Sequence, residues 1–387
     1  MSNRICRGIV TSFVLLLAVL IIVPPDGSQA RGKATARRLG FVPGYQQHNF
    51  VSDLAGRADL VDANLVNPWG LAYGATGPFW VANNGTSTST LYKGDGTLAP
   101  NPASPLVVTV PSASGTESGN PTGIVFNGTN GFAVSDGGKT GPSRFIFASE
   151  DGTISGWAPN VNPTQAIRAI TVPGAVYKGL AIGRSPFDVF LFAANFHTGT
   201  IDVFNSNFQL VHLPNIFFPG SFSPNAFIDR RIPPGFAPFG IQNIGGLLFV
   251  TYAKQEAPDN DEDVKGPGNG FVDIFDTRGT LIRHFAANGP LNSPWGLALA
   301  PSDFGPFSDH LLVGNFGDGR INAYNMRTGA FDGPLANNQG QPITIEGVWA
   351  LYFGNGFDGG KTNELFFTAG IEDEAHGLFG VLRAVSN

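Results

Sequence analysis

Oxygen-bearing side chains recur at matching positions along this chain, and their types suit a definite chemistry. Asn84, Asp136, Asn195, Tyr252 and Asn315 each close a short apolar run, and Glu372 or Asp373 follows a sixth. Asn67, Asn120, Lys178, Asn292 and Glu346 stand just ahead of a second kind of run. Asn, Asp and Glu brought to one place could hold Ca²⁺, which takes six to eight hard oxygen ligands. The candidate ligands are Asp136, Asn195, Asn315 and Glu346. The same residue types also satisfy turn backbones and tolerate left-handed conformations, which alone would explain their recurrence. Trp69 and Trp295 lie close by in sequence and could form a ligand platform or simply pack between elements. Trp69, Asn84, Asp136, Asn195, Tyr252, Trp295 and Asn315 are therefore the candidate ligand-binding set.

Searches for a catalytic group return little. The six histidines, at 48, 197, 212, 284, 310 and 376, form no HExxH pair, and no G-x-S-x-G nucleophile elbow occurs. His197 follows one of the apolar runs and is the best lone acid/base candidate, although a lone histidine reads first as an ordinary loop residue. Glycine-rich stretches lack the strand–loop–helix setting of a phosphate cradle. The acidic run Asp259-Asn260-Asp261-Glu262-Asp263 fails the EF-hand spacing, with Val264 where Gly is needed and Gly270 where the Glu should be. It reads as a solvated loop.

The elements that position these residues are repeats. Asn67-Pro68-Trp69-Gly70-Leu71-Ala72 returns as Asn120-Pro121-Thr122-Gly123-Ile124-Val125, Tyr177-Lys178-Gly179-Leu180-Ala181, Pro238-Phe239-Gly240-Ile241, Ser293-Pro294-Trp295-Gly296-Leu297-Ala298 and the degenerate Val348-Trp349-Ala350-Leu351. Counted from Gly70, the spacings are 53, 56, 61, 56 and 54 residues. A second apolar run follows each first one: Phe79–Asn84, Gly131–Asp136, Leu191–Asn195, Leu248–Tyr252, Leu311–Asn315 and Leu365–Ala369. A third, alternating run comes next, as in Thr200–Phe204 and Gly270–Asp276. Six such units predict an all-β, six-bladed β-propeller, because a blade cannot bury both faces unless neighbours stack on it. The starts of the first strands and the ends of the second then share one mouth of the central channel. The sixth unit lacks an outer strand, and residues 45–54 belong to no unit. They are expected to complete the last blade and close the ring.

Composition agrees. Charged residues are only 13% of the chain, about half the usual share, and 33 Phe against 2 Met suit a core on both faces of every blade. A net charge of −6 without a basic cluster argues against nucleic acid as a partner. Arg4 and Arg7, the apolar run Ile9–Val23 and the small residues Ser28-Gln29-Ala30 read as a signal peptide over residues 1–30. Residues 31–44 follow as a flexible linker, and residues 45–387 as the propeller. Cys6 is the only cysteine and precedes the apolar run, so the mature chain is expected to have no disulfide. With no second long apolar run, no stable membrane span is expected after processing. A monomer in the periplasm or outside the cell is the expectation.

The combination of Asn67–Ala72 with Trp80-Val81-Ala82-Asn83-Asn84-Gly85-Thr86, Asn292–Leu297 and Asn315-Phe316-Gly317-Asp318-Gly319 resembles a family of exported bacterial propellers, some with a C-terminal PEP-CTERM sorting tail. The resemblance runs from about Tyr45 onward and implies the propeller fold without an activity. The chain ends Ala384-Val385-Ser386-Asn387 without an apolar helix, so anchoring by such a tail is not expected. More distantly, the blades resemble NHL repeats and calcium-dependent lactonase propellers, whose metal ligands precede the first-strand glycines. Here those positions hold Trp69, Thr122, Lys178, Phe239, Trp295 and Trp349, which are poor ligands, and Glu346-Gly347 stands too early. The leading expectation is a non-catalytic binding or scaffold propeller for an extracytoplasmic small molecule, glycan or protein. The alternative is a calcium-dependent hydrolase or lactonase, with a lyase like the streptogramin-opening propellers as a third reading.

Overall fold

The structure, a computed structural model, describes residues 43–115, 119–185, 188–213 and 226–385. The signal peptide and most of the linker expected from the sequence lie outside these residues. Six small antiparallel sheets form six blades, and no helix occurs among the described residues. Blade 1 comprises Pro68–Ala72, Phe79–Asn83, Thr88–Tyr92 and Val107–Thr109. Blade 3 comprises Tyr177–Arg184, Val189–Asn195, Thr200–Phe204 and Leu210–Val211. Blade 4 comprises Phe236–Ile244, Leu247–Lys254, Gly270–Phe275 and Leu281–Ala287, and blade 5 Pro294–Leu299, His310–Asn315, Ile321–Asn325 and Phe331–Pro334.

The last blade carries the expected closure. Val348–Phe353, Glu364–Ile371 and His376–Val385 supply three strands, and Gly44–Ser52 pairs antiparallel with His376–Val385 as the next. Tyr45 is opposite Ala384 and Ser52 opposite Leu378, with one register shift between Asn49 and Val51. Ring closure thus joins the two ends of the chain, and Leu60–Val61 adds a short parallel edge.

Blade 2 corrects one expectation. Its strands are Pro121–Phe126, Phe145–Ser149, Thr153–Trp157 and Ile167–Thr171. The alternating run ending at Asp136, read from sequence as a second strand, is instead half of an extra hairpin, Ala133–Asp136 with Lys139–Pro142. The apolar alternation was genuine, but Phe145–Ser149 has the better core pattern, with all five residues buried against both neighbours.

Strand periodicity explains the core. Leu365 and Phe367 face blade 5, while Phe366 between them faces blade 1. Trp80 and Ala82 face blade 2, and Phe79 and Val81 face blade 6. Each interface between blades is therefore an apolar cluster, and burying one Phe there contributes about 1.5–3 kcal/mol. The first-strand glycines have a different cause, close approach near the axis. A Cβ on Gly240 would stand 2.1 Å from the Trp295 carbonyl oxygen, and one on Gly296 2.3 Å from that of Trp349.

Candidate functional site at the channel mouth

The residues just before the first-strand glycines converge on the axis and fill it. Trp69 stacks on Trp349 with ring centroids 3.5 Å apart, and Phe316 stacks on the other side of Trp349 at 4.0 Å. Trp295 and Phe239 meet this stack edge-on, and Phe196 packs on Phe239 at 5.1 Å. The indole N–H of Trp295 donates to the Lys178 carbonyl at 2.8 Å, and that of Trp349 to Asn67 Oδ1 at 3.0 Å. Below this plug a cavity of only about 20 Å³ remains between the inner strands. Aromatic side chains fill the mouth end of the axis, and Trp69 and Trp295 are built into it rather than offered as an open platform.

Above the plug, charge gathers around one buried cation. Lys178 is 1% exposed, and its Nζ lies 2.5 Å from Glu150 Oε1 and 3.3 Å from Glu262 Oε1. It also sits over the Trp69 ring, 5.4 Å from its centroid. Burial pulls its pKa down, but the two carboxylates outweigh this and hold it above the ordinary lysine value. Lys178 is therefore a fixed ammonium. Glu150 accepts a second bond from Asn84 Nδ2 at 2.9 Å. Glu374 accepts from Asn67 Nδ2 at 2.8 Å and is held on a turn where Glu372, Asp373 and Glu374 all have left-handed backbones, φ 55°, 53° and 66°. Such conformations cost about 1–2 kcal/mol per non-glycine residue, so the surrounding contacts hold this turn in place. Burial raises the pKa of Glu374, with the Asn67 bond and Lys178 opposing the shift.

Beside this cluster, between blades 5 and 6, opens a cavity of about 270 Å³. Its walls include Lys265, Phe316, Asp318, Glu346, Asp373 and Glu374. Lys265 Nζ stands 4.3 Å from the Phe316 ring centroid, so the ring already faces an ammonium.

The sequence-derived candidates divide. Asn84 and Glu346 reach the mouth. Asn195 and Asn315 miss it by one residue, because alternate side chains of a strand point to opposite faces. Their amides close turns inside the blades, Asn195 on Asp202 and Asn315 on Asp318 and the Pro290 carbonyl. The following residues, Phe196 and Phe316, take the axial places. Asp136 lies on the exposed extra hairpin, near Asn162 at 3.5 Å, and its expected place belongs to Glu150, which follows the true second strand. Asp136, Asn195, Asn315 and Glu346 thus do not assemble into one Ca²⁺ site. Tyr252 is buried inside blade 4. His197 stays exposed on the rim, its Nδ1 2.6 Å from Asp261 Oδ1. The acidic loop is less free than expected, because Glu262 and Asp261 reach across to blade 3.

Sequence reasoning missed Glu150, Glu262 and Glu374. A lysine in the row of axial aromatics was the available signal, since a buried ammonium needs carboxylate partners. The recurrent residues ahead of the first strands serve the backbone: Asn67, Asn120 and Ser293 have φ of 44°, 43° and 44°.

No family model matches the chain. Solved structures similar to it include a streptogramin B lyase, at a TM-score of 0.47 and 12% identity over 89% of this chain and 98% of that one. The soluble aldose sugar dehydrogenase of Escherichia coli in its apo form has a TM-score of 0.49 and 12% identity, over 88% and 100%. Among curated proteins, the uncharacterized protein R648 of Acanthamoeba polyphaga mimivirus is 35% identical over 339 residues, 85% of this chain and 78% of the relative. Protein L690 of the same virus is 32% identical over 330 residues, 83% and 81% respectively. These relatives are viral, so they do not support the bacterial membership implied by the motif resemblance. Likeness sustained over most of both sequences places the chain in one family with the mimivirus proteins R648 and L690.

Proposed function

We propose that the chain is an exported, non-catalytic binding propeller that takes a small ligand carrying an ammonium group at its channel mouth. The observation that carries this reading is the cavity between blades 5 and 6, where Asp318, Glu346, Asp373 and Glu374 stand against the single cation Lys265. Four carboxylates around an aromatic wall favour a cationic ligand by charge and by cation–π attraction. Glu374 adds a pH dependence: its raised pKa means that a bound cation would displace its proton, so affinity should rise with pH through that titration. The filled axis supports binding at the rim rather than chemistry in a deep channel. Export rests on the N-terminal pattern of Arg4, Arg7, the apolar run and Ser28-Gln29-Ala30. N-terminal sequencing of protein recovered outside the cytoplasm should begin at Arg31.

The test is calorimetric titration with ethanolamine, spermidine and glucosamine, alongside neutral glucose and N-acetylglucosamine. The amines should bind, more weakly at high salt, and Glu374→Gln should reduce their affinity about tenfold, as expected for losing one close charge pair. Equal binding of the neutral sugars, or no binding of any amine, rejects the reading. Turnover of a lactone or ester that is lost on changing mouth residues would replace it with an enzyme.

A further inference from the structure

Blade 4 departs at one place from the arrangement in blades 1 and 3, in the layer facing blade 3. In blades 1 and 3, an asparagine near the end of the second strand bonds directly to a polar residue of the third: Asn83 Nδ2 to Thr90 Oγ1 at 3.0 Å, and Asn195 Nδ2 to Asp202 Oδ2 at 3.0 Å. The strand registers make Tyr252 and Asp273 the equivalents of these pairs in blade 4. Yet no bond joins them. Asp273 is 0% exposed and Tyr252 5% exposed, and Asp273 Oδ2 and the Tyr252 hydroxyl are both buried without a hydrogen-bond partner.

Two further groups have been brought in beside them. His284, paired with Asp273 across the third and fourth strands, places Nδ1 2.7 Å from Asp273 Oδ1. Asp229, from the segment leading into the blade, places Oδ2 2.9 Å from the same Nδ1. One ligand atom from each of Asp229, Asp273 and His284 lies within 4.8 Å of the others. Both Asp229 oxygens are braced by Arg231 Nε, at 2.9 and 3.0 Å, so the carboxylate is oriented before anything binds. The Asp229 and His284 side chains are 3% and 18% exposed, and the imidazole provides the more open approach.

We propose that Asp229, Asp273 and His284 form a binding site for a divalent transition-metal cation of the zinc class, with the Tyr252 hydroxyl at its edge. An imidazole nitrogen with two carboxylates suits Zn²⁺, whereas Ca²⁺ and Mg²⁺ prefer all-oxygen shells. A buried carboxyl oxygen and phenol without partners are costly in a packed blade, and a cation would engage them. It would replace the direct contacts of His284 Nδ1 with the two aspartate carboxylates. This site is distinct from the channel mouth and does not depend on the ligand proposed there.

The test uses the full chain, stripped with chelator and titrated with Zn²⁺ at neutral pH. One equivalent should bind, measured by calorimetry and by elemental analysis after desalting. His284→Gln and Asp273→Asn should each weaken binding at least about tenfold, the smaller effect seen when even an outer partner of a metal ligand is lost. His48→Gln, which alters an exposed His–Asp pair on the outer strand, should leave binding unchanged. Should the core variants fail to fold, Co²⁺ added to the wild-type chain and to Tyr252→Phe decides the matter. A visible spectrum of protein-bound, low-coordinate Co²⁺, altered in Tyr252→Phe, supports the site. The spectrum of hydrated Co²⁺, absence of Zn²⁺ uptake, or equal uptake by His284→Gln overturns it.

Discussion

Replacing Glu150 with glutamine tests the organisation of the mouth most directly. Lys178 is 1% exposed and has two carboxylate partners, but they are not equivalent. Glu150 is at 2.5 Å with its side chain 26% exposed, whereas Glu262 is at 3.3 Å and 67% exposed. An exposed pair is screened and contributes about 0–1 kcal/mol. Breaking a buried pair costs about 3–5 kcal/mol, because the remaining ion is left uncompensated. In Glu150→Gln the amide oxygen can still accept from Nζ, so the expected cost is at the low end, about 3 kcal/mol. Glu262→Gln should cost less than about 1 kcal/mol. Unfolding entropy near 2.1 cal/mol/K per residue, taken over residues 43–385, gives about 0.7 kcal/mol/K. The first substitution should then lower Tm by about 4 °C and the second by little more than 1 °C. Urea unfolding at neutral pH gives the free energies, and calorimetry gives Tm. The combination Lys178→Met with Glu150→Gln should recover most of the loss, because no buried charge remains. Equal effects of the two glutamine substitutions, or a harmless Glu150→Gln, would refute the assignment of Glu150 as the principal partner.

Burial raises the pKa of Glu374 in the fold, so the native chain holds a proton that the unfolded chain releases. Its contribution is fully present below the ordinary Glu value of 4.5 and is lost as pH rises through the raised value. Glu374→Gln should flatten that decline in a series of urea midpoints between acid and neutral pH. Gly240→Ala would force a Cβ to 2.1 Å from the Trp295 carbonyl oxygen and should destabilise by about 3 kcal/mol, read by urea unfolding. Asp373→Gly should do the opposite, relieving a left-handed backbone for a gain of about 1 kcal/mol.

The fold was legible because its causes are local and repeated. Inner strands crowd the axis, so Gly70, Gly123, Gly179, Gly240 and Gly296 recur at blade spacing, and the spare segment before the first repeat matched the strand missing from the last. The site was less legible for three physical reasons. The Ala133–Asp136 hairpin imitates a second strand, which hid Glu150. Strand alternation turned Asn195 and Asn315 inward and gave their expected places to Phe196 and Phe316. Glu150, Lys178, Glu262 and Glu374 come from four different blades, and only ring geometry brings them together. The cluster of Asp229, Asp273 and His284 likewise depends on strand register, which spacing in the sequence does not reveal.

The strand that closes the ring also sets an order of events. Gly44–Ser52 leaves the ribosome before any blade exists, yet its hydrogen-bonding partner, His376–Val385, follows every other blade strand in the chain. Until that partner arrives, the early strand is an unpaired β-edge, the kind of surface on which chains join one another wrongly. Its pairing closes a loop that takes in the whole propeller, and such contacts are slow to find. The same seam places both ends of the domain side by side on one outer edge. A new pair of termini cut into an exposed turn, with the old ones tethered by a short linker, would turn this last and slowest pairing into a hairpin.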